Sequence, residues 1–179
     1  MAEEAGFLLY HAGMRAVSEN QITYARECFS SAAEWGVDSS KCLNAEGLCS
    51  YDLGDYPKAR DCWIRSLQCQ DQDNPARMYL EHLESEEMSR WIRQINIVTE
   101  TIDRRSPLKA LIRLQVFLFN AKRRKQHIPI RLLNMKGLLL CHFSLKHAAW
   151  KTWCRVLARD HTNRDAVRYL AVNERRGGI

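Results

Sequence analysis

The sequence predicts an all-α protein folded as a stack of antiparallel helical hairpins, and three observations lead there. Apolar residues recur at helical spacing along the whole chain, and the alternating β-branched stretches that mark half-buried strands are missing. The segments between the periodic stretches are short, so helices adjacent in sequence should pack antiparallel. One set of residues also returns at fixed offsets. Gly13, Ala25 and Phe29 reappear 34 positions later as Gly47, Ala59 and Trp63, and 90 positions after that as Gly137, Ala149 and Trp153.

Periodicity and punctuation place helices over 3–19, 21–35, 39–53, 55–70, 75–102, 107–125, 129–143, 146–160 and 163–173. The first carries Phe7, Tyr10, Met14 and Val17 on one stripe, and the second carries Ala25 and Phe29. The third and fourth repeat that glycine-to-ring pattern with Gly47, Ala59 and Trp63. The fifth and sixth open on Asn74-Pro75 and Ser106-Pro107. A proline in a first turn loses no hydrogen bond, and the side chain before it can accept an orphan backbone N–H. The helix 107–125 is apolar on nearly every side, which places it in the middle of the stack. The seventh and eighth carry Gly137, Ala149 and Trp153. The last repeats the stripe of Ala76, Tyr79 and Leu80 as Ala166, Tyr169 and Leu170 and caps the array, followed by a frayed tail "ERRGGI".

The glycines carry the argument. Glycine inside a helix costs about 1 kcal/mol relative to alanine. Its recurrence at one register therefore implies a facing helix too close for a side chain, with the ring of the second helix seated in the notch of the first.

The stretch "LNAEGLCSYDLGDYPKARDCW", starting at Leu43, and its echo "LNMKGLLLCHFSLKHAAWKTW", starting at Leu133, resemble the tetratricopeptide-repeat family, whose unit is 34 residues long. Leu43, Gly47, Gly54, Tyr56, Ala59 and Trp63 match the family's large apolar residue, packing glycine, turn glycine, tyrosine, alanine and aromatic. The unit at 5–38 keeps Gly13, Ala25, Phe29 and Ala32 but has Asn20 and Ile22 at the turn-glycine and tyrosine positions. The unit at 129–162 departs at Ser144 and Lys146. The resemblance implies one domain over 1–179: a right-handed superhelical stack of hairpins at about 3–38, 39–73, 74–125 (degenerate and lengthened) and 129–162, with 163–173 as cap. It also implies peptide or protein binding in a concave groove lined by the first helix of each hairpin. Tyr10, Met14, Lys41, Asn44, Leu48 and Tyr51 fall on that face, with Phe7 and Val17 extending its apolar end. Arg131, Asn134, Leu138 and Cys141 are their counterparts in the later copy. A cation with an asparagine three residues on could hold a peptide's carboxylate or backbone. The same asparagines could equally be the echo of a duplicated ancestor.

The 179 residues, 46% hydrophobic and 27% charged, suffice for a core without disulfides or metal. The start, Met-Ala-Glu-Glu, is not a secretory signal, and Arg113 and Lys136 interrupt the most apolar stretches, so no membrane insertion is expected. Seven dispersed cysteines point to reduced thiols in a cytoplasm. Cys42/Cys49 and Cys62/Cys69 are each seven apart, about 10 Å along a helix, too far for either pair to share a zinc ion. No phosphate loop, nucleophile turn or His-x-x-x-His pair is present, so no enzyme and no cofactor is expected.

Charge is polarised. Residues 1–88 hold seven lysines and arginines against sixteen aspartates and glutamates, a net −9, whereas 89–179 hold twenty against five, a net +15. The strongest run is Lys122, Arg123, Arg124 and Lys125, open to three readings: complementing a helix C-terminus, contributing to binding of an acidic protein segment, nucleic-acid phosphate or an anionic surface, or a localisation signal. The leading expectation is a non-enzymatic protein-interaction module with a scaffold, adaptor or chaperone-like role. The runner-up is a helical-repeat nucleic-acid binder using the basic half. Self-association is left open.

Overall fold

The computed structural model describes the backbone of residues 2–36, 38–103 and 106–175. Among them are ten α-helices and no strand. The chain divides into two compact units. The first contains α1 (Ala2–Ser18), α2 (Ile22–Glu34), α3 (Ser39–Leu53), α4 (Tyr56–Cys69) and α5 (Ala76–Glu84), together with the segment Arg159–Asn163. The second contains α6 (Glu86–Asp103), α7 (Pro107–Arg123), α8 (Ile130–His142), α9 (Lys146–Arg159, to Ala158) and α10 (Arg164–Arg175). Of the expected frayed tail, Glu174 and Arg175 belong to α10, and 176–179 lie outside the described residues.

Successive helices pack against one another, α1 to α5 in the first unit and α6 to α8 in the second. The notches are where the sequence put them. A Cβ added to Gly13 would lie 2.7 Å from Cε1 of Phe29, one on Gly47 2.7 Å from Cδ1 of Trp63, and one on Gly137 2.9 Å from Cδ1 of Trp153. All three distances are inside van der Waals contact with a ring that is itself fully buried. The close approach also lets the Trp63 indole N–H donate to the backbone oxygen of Asn44 at 3.4 Å. Each tryptophan also packs against a tyrosine: Tyr79 on Trp63 and Tyr169 on Trp153, both with centroids 5.3 Å apart.

The turns after α1, α3 and α8 share one conformation with three different residues. Asn20, Gly54 and Ser144 all have left-handed φ, at 56°, 91° and 58°. In each case the next N–H reaches back five residues: Gln21 to Ala16, Asp55 to Ser50 and Leu145 to Leu140, at 2.8–2.9 Å. Asparagine and serine thus take the turn that Gly54 takes after α3. Lys125, φ 55°, ends α7 in the same way, with Gln126 donating to Ala121.

Three expectations are corrected. The helix expected over 75–102 is two helices, broken at Ser85, whose ψ of 152° is extended. Serine followed by Glu86 and Glu87 is the composition of a helix start, with acids in the first turn of α6. Ser106 makes no side-chain cap bond to α7, whereas Asn74 does cap α5, its Oδ1 accepting from the Ala76 N–H at 3.0 Å. Finally, α7 is not surrounded. Ala110, Leu114, Phe117, Leu118 and Ala121 are buried, but Leu108, Ile112, Val116 and Phe119 face solvent.

Candidate partner-binding site

In the first unit the notch glycines turn one face of α1 and of α3 toward the next helix, α3 is also packed on its far side, where Cys42 and Cys49 are buried against Ala32 and Ala25, and a narrow strip of each helix stays outward. Met14 on α1 and Lys41 and Leu48 on α3 are exposed. Tyr10 is half-buried, its ring 5.7 Å from Phe29. Tyr51 is half-buried among Tyr56, Trp63 and His82, and its hydroxyl lies 3.2 Å from Nε2 of His82. Burial pushes the Tyr51 phenol above its ordinary pKa. His82 was not singled out from the sequence, because nothing local marks a histidine on α5 as a neighbour of a tyrosine on α3. The Lys41 ammonium sits 2.7 Å from Asp38. That hydrogen bond raises the lysine's pKa and lowers the aspartate's. Lys41 is therefore half of an ion pair.

Asn44 and Asn134 are not on the outward face. Both are only 8% exposed. The reason is register: each stands three residues before its notch glycine, hence on the packing stripe. The Asn44 amide donates to Oδ1 of Asn74 at 2.8 Å. It belongs to an internal polar cluster that sequence reading missed. Asn74 Nδ2 bonds Gln70 O at 2.7 Å and Ser66 Oγ at 2.9 Å, and Ser66 Oγ donates to Ser40 O at 3.0 Å. The cluster ties α3, α4 and the start of α5 together, which places the aromatic group at Tyr51. The signal was present in Asn74-Pro75, but a cap that also reaches inward is not distinguishable by composition.

Glu46 is a second inward charge. Its carboxylate is nearly fully buried and lies 3.1 Å from Lys58 Nζ, whose pKa it raises by hydrogen bonding. Cys42, Cys49 and Cys62 are buried beside these groups. Desolvation pushes their thiols up to about 11, about 12 and about 12. They pack as small apolar residues and are poor nucleophiles. No group of three or more His, Cys, Asp or Glu among the described residues could hold a metal ion.

The segment Arg159–Asn163 completes the first unit. Asp160 is fully buried, its Oδ1 accepting from the Thr23 N–H at 3.1 Å and its Oδ2 from the Thr23 hydroxyl at 2.6 Å. It supplies the cap that Gln21 does not give α2. Arg159 reaches Asp52 at 3.0 Å, and the His161 N–H donates to Asn20 O at 2.7 Å. A carboxylate 137 positions away from the helix it caps leaves no local trace in sequence.

In the second unit Arg131 and Leu138 are exposed on α8 and Cys141 is half-buried. Lys122, Arg123, Arg124 and Lys125 are all exposed. Two of the four also end the helix: Arg124 N–H donates to Asn120 O, and Lys125 takes the left-handed turn. Arg123 lies over the Phe119 ring at 5.9 Å.

The fold and these faces define an all-α chain of closely packed successive helices with inward glycine notches and outward apolar and cationic side chains. Comparison with family models, curated proteins and solved structures gives no match. No helix among the described residues is long and apolar enough to cross a membrane.

Proposed function

We propose that this chain is a non-enzymatic protein-interaction module of tetratricopeptide-like hairpins, binding a peptide or partner protein on the outward face of its first helices. The observation that carries the reading is that α1 and α3 each keep an apolar side chain in water directly after a notch glycine. Gly13 and Gly47 face rings, while Met14 and Leu48 stay 49% and 44% exposed. Apolar side chains held in water on an element already packed on its other face favour a binding surface. Tyr10 and Tyr51 would add rigid aromatic area, and Lys41 would meet an acidic group. Arg131 and Leu138 would be the corresponding residues of the other unit. A scaffold or adaptor role in the cytoplasm fits this chemistry.

The test is selection of a random displayed peptide library on the immobilised chain, followed by solution affinity of the enriched peptides. The reading predicts peptides that lose at least tenfold in affinity on Met14→Glu or Leu48→Glu while the unfolding midpoint is retained. Failure of any peptide to enrich, or binding indifferent to both variants, would overturn it.

The net +15 of residues 89–179 favours a second reading, nucleic-acid binding. A salt titration with single-stranded RNA and DNA separates the two. Steep salt dependence with micromolar or tighter binding supports the second reading, and no binding at moderate salt removes it.

A further inference from the structure

The helix α7 was expected in the interior and instead shows two apolar faces. Ala110, Leu114, Phe117, Leu118 and Ala121 form the buried one, with Phe117 against Trp91 of α6 at 4.4 Å between centroids. At 100° per residue, Leu108, Ile112, Val116 and Phe119 form a second stripe nearly opposite to it. They remain 58%, 56%, 56% and 63% exposed. The stripe is one helix wide and about 16 Å long, three turns.

The charged residues on its borders are all cationic, alternating with Gln115 and Asn120. α7 contains Lys109, Arg113, Lys122 and Arg123 and no acidic residue. Between 104 and 159 the chain has fourteen lysines and arginines and not one aspartate or glutamate. Arg123 leans over Phe119, so a cation overhangs the end of the stripe. Beside it a recess of about 220 Å³ is lined by Asn120, Arg123 and Arg124.

We propose that this stripe docks an acidic amphipathic helix. Leucine-type side chains of the partner at i, i+4, i+7 or i+8, and i+11 would lie along Leu108–Phe119, and its flanking carboxylates would meet Lys109, Lys122, Arg123 and Arg124. The width and length match the ridge of a single helix. Phosphate groups would leave the aliphatic centre in water, which disfavours a nucleic acid. A bilayer surface would take up the larger apolar face of a helix, and that face of α7 is already buried. None of its residues is among those assigned to the peptide-binding face.

The probe is a synthetic 18-residue helix with leucine at positions 1, 5, 8 and 12 and glutamate on both flanks, against a scrambled peptide of identical composition. Added to the full chain, the patterned peptide should bind, and deuterium exchange should slow in 107–123. Ile112→Glu or Val116→Glu should weaken binding at least tenfold, and so should raising salt from 50 to 500 mM. Equal binding of the scrambled peptide would overturn the proposal, as would protection confined to other segments. Preferential binding of the stripe to phosphatidylserine vesicles would replace the helix by a membrane. A dimer that Ile112→Glu converts to monomer would assign the face to a second copy. Should the glutamate variants not fold, the exchange map of the unmodified chain decides alone.

Discussion

At the residue scale, the left-handed turns show how asparagine, glycine, serine and lysine can end helices with the same geometry. A non-glycine residue in this conformation costs about 1–2 kcal/mol, less for asparagine, and glycine gives back part of that through the unfolded chain. Replacing Ser144 or Lys125 by glycine should therefore raise stability by about 0.5–1 kcal/mol, and Asn20→Gly by less. Urea unfolding measures this, and a loss of stability would place the cost elsewhere. The buried thiols give a prediction of opposite sign. Cys42, Cys49 and Cys62 hold their protons to about 11, about 12 and about 12 in the folded chain, against about 8.5 for a free cysteine. As pH rises above the free value, the unfolded state loses thiol protons that the native state keeps, and stability falls toward pH 11. Thermal unfolding between pH 8 and 11 should show the decline, and Cys49→Ala should make it shallower. In the native state at pH 8, the exposed Cys69 should react with a thiol reagent well before these three.

At the scale of elements, the packing of adjacent helices was legible because its signals are local. Gly47 and Trp63 lie sixteen positions apart, and their recurrence at 34 and 90 removed the ambiguity that a single amphipathic pattern leaves. What was not legible is long-range or read against a competing cue. The break at Ser85 was hidden by an unbroken apolar period on both sides. Asn44 was placed outward by analogy, although its distance of three from Gly47 put it on the packing stripe. The second apolar face of α7 was read as burial, because composition reports how apolar a helix is and not what covers it. The cap on α2 comes from Asp160, far along the chain, which no window could show. Removing it tests the assignment. Asp160→Ala leaves the Thr23 N–H and hydroxyl without their acceptor and should cost about 1–3 kcal/mol, with exchange quickening first at the N-terminal turn of α2. A uniform loss of protection across the chain would contradict a local capping role.

At the scale of the molecule, one device is used in both units. A glycine on one helix admits a ring from the next, and a tyrosine packs against that ring: Gly47, Trp63 and Tyr79 in one unit, Gly137, Trp153 and Tyr169 in the other. The outward faces, and the binding proposed for them, depend on these notches holding each helix in its rotation. Two effects oppose each other when a notch is filled: alanine favours the helix by about 1 kcal/mol, and forcing a methyl against a buried indole costs about 1–3 kcal/mol. The most direct measurement is a pair of double-mutant cycles by urea unfolding, Gly47→Ala with Trp63→Leu and Gly137→Ala with Trp153→Leu. The account predicts that both alanine variants are less stable than the parent chain. It further predicts that the smaller leucine relieves the added methyl, with a coupling of about 0.5–3 kcal/mol in each unit. Alanine variants that are more stable than the parent, or cycles that are additive, would contradict it.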